Sequence, residues 1–250
     1  MLHFFRKIRH DLIANSKFYK YFKYAIGEII LVVIGILIAL QINNWNERRK
    51  LQEESRQIAN NLNSEFMNNR IVLRERIDRL ENANEYIRTV LSYITKGEKE
   101  LGQSNMDSLI SKSRSYGNYN PSNSTIQELI SSGKLDLVGG YELKNNLFSW
   151  LQLLEDTDED FKNQDLHAIT MLEAYLYKNA PMKNITTYDS FNIASGKSEL
   201  FNGDYSEMFN DIEFENLYQI KLFWNTVMVD HFKELDNLAA EIINQTKRLE

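Results

Sequence analysis

Hydrophobic residues are spread unevenly along this chain. From Tyr24 to Ile42 they run almost unbroken, as Tyr-Ala-Ile-Gly-Glu-Ile-Ile-Leu-Val-Val-Ile-Gly-Ile-Leu-Ile-Ala-Leu-Gln-Ile, and nothing comparable recurs. At ~1.5 Å per residue this run spans about 28 Å as a helix, close to the hydrocarbon thickness of a bilayer. Between Ile29 and Leu40 no face carries a polar side chain, which predicts a lipid-facing helix over 24–42. A buried core helix is usually shorter or keeps a polar stripe. A cleaved signal peptide would show a small-residue cleavage pattern, and here Gln41-Ile42-Asn43-Asn44-Trp45 follows instead. The segment therefore reads as an uncleaved signal-anchor.

Downstream the pattern becomes periodic. No Gly or Pro occurs from Trp45 to Thr95, and apolar residues fall at Phe66, Leu73, Ile77, Leu80, Ile87, Leu91 and Ile94, with Asn84 filling one slot. This four-three spacing is that of a bundle seam or coiled coil, and it predicts a long helix over about 45–96. Its first half is weakly apolar and reads as a solvated stalk. Ser104 precedes a short helix through Leu109 and Ile110, and a Tyr/Asn/Ser/Pro-rich loop follows from Ser115 to Ser124. Thr125 with Glu128 reads as a capping box opening a helix at Ile126, and Gly133 suits the position just past its end. A longer helical region runs from Tyr141 to Asn179, with Leu143, Leu147, Trp150 and Leu154 as its first seam, and Pro181 ends it. Residues 182–203 read as a loop. The last helix covers 212–249, with Leu217, Ile220, Trp224, Val227, His231, Leu235, Leu238, Ile242 and Leu249 as its seam. The expected fold is all-α: a basic segment 1–23, a single N-terminal transmembrane helix 24–42, and an extramembrane antiparallel helical bundle over 43–250.

Charge sharpens this layout. Residues 1–42 hold six basic and two acidic side chains, whereas residues 43–250 hold 23 and 33. An acidic outer part lacks the basic footprint that nucleic acid demands, so no nucleic-acid partner is expected. Arg6, Lys7, Arg9, Lys17, Lys20 and Lys23 precede the span; Arg48, Arg49, Lys50 and Arg56 follow it. That excess before the span places the N-terminus in the cytoplasm and the large domain outside. The six leading basic residues are candidate contacts for anionic inner-leaflet head groups, with membrane lipid as a partner. Leu2, Phe5, Ile8 and Leu12 repeat among them at helical spacing, which fits an interfacial helix, although a disordered basic tail is the other reading. The chain has no cysteine, which excludes disulfides, thiolate metal sites and cysteine nucleophiles.

Candidate chemistry is sparse. Glu28 is an ionisable residue within the span; it either meets a partner helix or snorkels to the nearby interface. Gly35 and Ala39 form a small-x-x-x-small face that allows two helices to approach closely. Together these three are the candidate membrane-helix contacts. Asp156, Asp158 and Asp160 imitate the start of a calcium loop, but Phe161 and His167 stand where that loop needs Gly and Glu, so the run reads as a solvated helix face or turn. His231 takes a seam position, as a hydrogen-bonded core imidazole. His167 follows Asp165 without a metal-ligand spacing. No phosphate loop or nucleophile elbow occurs. No catalytic residue, metal ligand or cofactor is assigned, and a non-enzyme is expected.

The run from Lys23 to Glu47, with Gly27-Glu28-Ile29-Ile30-Leu31-Val32-Val33-Ile34-Gly35 at its centre, resembles the N-terminal signature of an uncharacterised family of single-span bacterial envelope proteins, domain of unknown function 6090. Thr125-Ile126-Gln127-Glu128-Leu129-Ile130-Ser131-Ser132-Gly133-Lys134-Leu135 is similar to that family's second recurring segment. The resemblance implies a Gram-negative inner-membrane protein with a periplasmic helical domain and carries over no activity. The functional expectation is a membrane-anchored periplasmic interaction or scaffold protein, which docks on another envelope protein or on itself. The alternative is a periplasmic ligand-binding sensor that signals through a partner membrane protein. An enzyme with dispersed carboxylates is the third reading.

Overall fold

A computed structural model describes residues 18–96, 103–189 and 196–248, and among them every regular element is a helix. Helix α1 is Phe18–Lys96, α2 Gln103–Ser113, α3 Ser124–Ser132 and α4 Tyr141–His167. A π-helical stretch, Ala168–Glu173, leads directly into α5, Ala174–Asn179. There follow α6, Met182–Ile185, α7, Ser206–Phe209, and α8, Ile212–Thr246, with 3-10 turns at Leu135–Leu137 and Thr186–Tyr188. The chain divides into two compact units, residues 1–55 and 56–250.

In the first unit α1 carries the apolar run. An 18-residue window there has a mean hydropathy of 2.6, and none of it is buried. It is the one helix among the described residues long and apolar enough to cross a membrane. The amphipathic pattern from Leu2 to Leu12, together with Arg6, Lys7, Arg9 and Lys17, lies outside the described residues, as do Leu249 and the side chain of Lys20.

The second unit packs around two apolar clusters. One joins Leu62, Phe66, Leu73 and Leu80 of α1 to Ile126 and Leu129 of α3, Leu147 and Trp150 of α4, and Phe232, Leu235 and Ile242 of α8. The other joins Ile87 and Val90 of α1 to Met106 and Ile110 of α2, Leu172 of the π-helical stretch, Leu176 of α5, Ile185 of α6, and Phe214 and Tyr218 of α8. The predicted α1 seam is buried from Phe66 to Ile87, with Asn84 in its slot, and Leu91 and Ile94 are half-buried. Burial begins at Ala59, so the solvated stretch is shorter than the expected half-helix. Polar bonds tie α1 to α8: Asn63 Nδ2 donates to the Ile243 carbonyl at 3.1 Å and to Thr246 Oγ1 at 2.9 Å, and Arg70 clamps Asp236 at 2.8 and 2.9 Å.

Three expectations are corrected. In α8 the buried stripe runs through Phe214, Tyr218, Lys221, Asn225, Phe232 and Ala239; Ile220 is exposed, and Trp224, Val227 and Leu238 are half-buried. Residues 182–188, expected as loop, form α6 and a 3-10 turn, because Ile185 plugs into the second cluster. The third concerns the start of α3, where Asn123 makes no side-chain cap and no local capping box closes. Glu65 reaches over from α1 instead. Its Oε1 accepts from the Ser124 amide at 2.7 Å and from the Ser122 hydroxyl at 2.5 Å, and its Oε2 accepts from the Thr125 amide at 3.0 Å. A carboxylate at a helix N-terminus satisfies orphan amides and opposes the positive dipole end. At the other end Gly133 adopts φ +68°, the left-handed conformation glycine tolerates, and closes the helix as its position predicts. Helix α5 stops where Ala180, directly before Pro181, is driven to extended backbone.

Glu65→Gln should therefore destabilise the folded domain by about 1–2 kcal/mol, as for a lost helix cap. Burial pushes the Glu65 carboxyl up, but its bonds to Ser122, Thr125 and Ser124 together hold it below the ordinary 4.5. The wild-type advantage is then complete above that value and fades as pH falls through the lower folded value. Urea melts at neutral and acidic pH check both the size and the convergence of the two proteins in acid.

Candidate functional site

The interior between α4 and α8 contains a polar layer. At the end of α4, Gln164 and His167 lie three residues apart on one face; on α8, Lys221 and Asn225 lie four apart, and all four are buried. Gln164 Nε2 donates to Asn225 Oδ1 at 2.7 Å, and Asn225 Nδ2 donates to the Ser115 carbonyl at 3.4 Å. Lys221 Nζ donates to the Arg114 carbonyl at 3.2 Å and stands 5.2 Å from the centroid of the Tyr116 ring. Gln164 Oε1 and His167 Nε2 are buried without a hydrogen-bond partner among the described residues. The layer adjoins the π-helical stretch, a distortion that costs regular hydrogen bonding and recurs at functional sites.

The loop after α2 is fastened to this layer. Arg114 Nε and Nη2 clamp Glu173 at 2.6 and 3.0 Å, both side chains being less than one-fifth exposed. Arg114 Nη1 reaches Asp189 at 3.2 Å, and Asp189 also accepts from the Ser111 hydroxyl at 2.6 Å. Tyr116 Oη donates to Asp165 at 3.0 Å. One guanidinium thus joins the α2 loop, the π-helical stretch and the turn before residue 190. On its outer side lies an open groove of about 740 Å³, lined by Glu75, Asp78, Arg79, Asn82 and Tyr86 of α1 and by Lys112, Arg114, Tyr116, Tyr188 and Asp189. Lys112 Nζ covers the Tyr86 ring at 5.3 Å. Lys221 does not line the groove, so its amine is screened from anything held there.

Electrostatics follow from this packing. Burial pushes the Lys221 amine down to about 7; Glu173 pulls it upward and Arg114 adds to the fall. Burial also lowers His167, and the Lys221 charge lowers it further. Burial and the bond to Asp165 push the Tyr116 phenol up to about 12. A second buried carboxyl, Asp107 of α2, is hydrogen-bonded by Tyr205, and burial raises it above the ordinary carboxylate range. Among the described residues no group of three His, Asp or Glu side chains could hold a metal ion.

The residues singled out from the sequence lie elsewhere. Glu28 is half-buried and Ala39 exposed on α1. A Cβ at Gly35 would meet no atom of another element within 4 Å, so nothing among the described residues exploits its small size. Lys23 Nζ covers the Tyr19 ring at 4.7 Å. The acidic run is a face of α4, where Asp158 pairs with Lys162 at 2.8 Å and Asp160 meets His231 Nε2 at 2.8 Å. Arg114, Glu173, Lys221 and Asn225 escaped the sequence reading. The signal was the register of α8: Phe214, Tyr218 and Phe232 mark a stripe in which Lys221 and Asn225 fall at interior positions.

Arg114→Met would strand Glu173 in a largely dry site and release Asp189. Breaking a buried pair from one side should cost about 3 kcal/mol in a urea melt, more than Arg74→Met, whose side chain is 60% exposed and contacts Asp236 at the surface.

Comparisons with curated proteins and with solved structures find no match. Residues 28–152 run from Glu28 along α1, through the Thr125–Leu135 segment, into α4. Over that half of its length the chain matches the family of unknown function DUF6090, and it belongs to that family.

Proposed function

We propose that this chain is a membrane-anchored interaction protein of the bacterial envelope. The segment 24–42 crosses the inner membrane once as a signal-anchor, with Lys23 and the basic residues before it in the cytoplasm. The helical domain stands in the periplasm and docks another envelope protein or a second copy of itself. The observation that carries this reading is the bare apolar helix: its 18-residue window is 0% buried, so the described residues supply no cover and lipid is the natural solvent. Gly35, where a Cβ would meet no described atom of another element, and half-buried Glu28 suit contact with a second span.

The domain itself we read as an antiparallel bundle closed by α1 and α8. Support comes from the order of the rungs: Asn63 meets Thr246, Arg70 meets Asp236 and Glu81 meets Lys233, so rising numbers on one helix meet falling numbers on the other. A second reading, a periplasmic sensor of small ligands, is favoured by the groove, whose Arg114 and Tyr116 are held in place by Glu173, Asp189 and Asp165 before any ligand arrives.

The absence of cysteine makes the topology directly testable. Tyr141→Cys, at an exposed position, should react with a membrane-impermeant maleimide once the outer membrane is permeabilised, and Ser16→Cys should react only after the inner membrane is opened. Equal labelling of both in unbroken spheroplasts, or recovery of the full chain in the soluble fraction without detergent, would refute the anchor. Co-purification of a stoichiometric protein in mild detergent supports the interaction reading. A saturable rise in melting temperature with a small solute, abolished by Arg114→Met, favours the sensor.

A further inference from the structure

We propose that Lys221 is a proton-operated switch for the loop that follows α2: uncharged, it leaves Glu173 to Arg114, and on taking up a proton it competes for that carboxylate and loosens the clasp. The amine is bonded to the carbonyl of Arg114 itself, at 3.2 Å, and so sits beside the residue with which it would compete. Among the described residues it forms no ion pair. The groups around it come from every neighbouring element. The loop supplies Arg114 and Tyr116, the π-helical stretch Glu173, α4 His167 and, through the Tyr116 hydroxyl, Asp165, and α8 itself Tyr218. Helix α1 adds Glu75, Asp78 and Arg79 to the groove that Arg114 and Tyr116 border, all three exposed to solvent.

Within that set the anion count decides the outcome. Asp165 is engaged by a phenol, and Glu173 already accepts two bonds from the Arg114 guanidinium, whose remaining nitrogen holds Asp189. A proton on Lys221 adds a second cation to a buried site in which Glu173 is the carboxylate that acts on both, and beside it stands His167, whose own charging Lys221 opposes. Like charges in such surroundings repel far more than in water. The available relief is for Lys221 to share Glu173, and that takes a bond from Arg114. Because Arg114 also holds Asp189, and Asp189 holds Ser111, the same event reaches the wall of the groove. Glu173 ends the irregular π-helical backbone of Ala168–Glu173. Proton uptake near neutrality fits an amine whose affinity burial has brought down to about 7. This coupling stands whether or not the groove takes a ligand.

Linkage fixes the sign. The unfolded chain holds the Lys221 proton up to its ordinary 10.5, the folded one only to about 7, so stability gained from releasing it grows as pH rises between those values. The test is hydrogen exchange by mass spectrometry on the full-length protein in detergent, corrected for intrinsic rates, at about pH 6 and about pH 9. Protection of residues 111–116 and 168–173 should rise by about tenfold or more towards the higher pH, and by more than that of residues 124–132. Lys221→Met should erase the step and hold the high protection at both pH values. Glu173→Gln, which removes the contested carboxylate, should leave protection low at both. Equal wild-type protection at the two pH values overturns the switch, as does a step that survives Lys221→Met. Should that variant fail to fold, a full step retained in Glu173→Gln overturns it equally.

Discussion

The one-sided apolar stripe of α1 beyond Ala59 is the constraint on which the folded domain depends. Over 29–40 apolar residues occupy every face of the helix; beyond Ala59 the buried ones keep to one side, at Leu62, Phe66, Leu73, Leu80 and Ile87. A helix with such a stripe is not stable alone in water and must find a partner surface. Helices α8, α4 and α3 supply it in one cluster, and α8, α2 and α5 in the other. The aromatic side chains that fill the join are placed accordingly: Phe66 meets Trp150 edge-on at 4.9 Å, and Tyr119 meets Phe232 at 5.8 Å.

Once α1 and α8 are paired, the connecting loops are held chiefly by polar bonds. The stretch from Arg114 to Ser124 has few residues to bury, yet it is pinned throughout. Arg114 and Tyr116 hold its start, and the Tyr119 hydroxyl donates to the Asn69 carbonyl at 3.0 Å. Asn69 brackets Ser122 with one donated and one accepted bond, and Trp150 Nε1 donates to Asn123 Oδ1 at 2.8 Å. Buried groups of this kind are worth little net when satisfied and are costly when stripped of a partner. The loop is therefore specified by what its displacement would leave unpaired.

This division explains what could be read from the residues alone. The α1 seam was legible because Leu73, Ile77, Leu80 and Ile87 repeat in a stretch free of Gly and Pro. Gly133 and Pro181 were legible because each acts on its own backbone. The cap of α3 was not, since its donor of negative charge lies 60 residues away on another helix, and Thr125 with Glu128 offered a local decoy. In α8 apolar side chains occupy more than one face, and a stripe drawn through Ile220, Trp224 and Val227 competes with the true one. Lys221 and Asn225 then read as solvent-facing. The clasp was hidden for the same reason: Arg114 and Glu173 lie far apart in the chain, and neither belongs to a motif.

A polar layer within the α4–α8 contact needs a reason, since apolar residues of similar volume would pack there at lower cost. Register is one. Apolar stripes on two long helices can slide by a turn and still bury similar area, but a slide of α8 past α4 would part Asn225 from Gln164 and His231 from Asp160 together. It would also carry Lys221 away from the Arg114 carbonyl, leaving a buried amine with no acceptor. Each loss adds to the others, so the polar contacts select one alignment among several of comparable apolar burial. Asn63 and Thr246 do the same for α1 against α8. The same choice that fixes the alignment leaves Lys221 as an interior base whose charge depends on its surroundings, so a device for register and a device for response need not be separate adaptations.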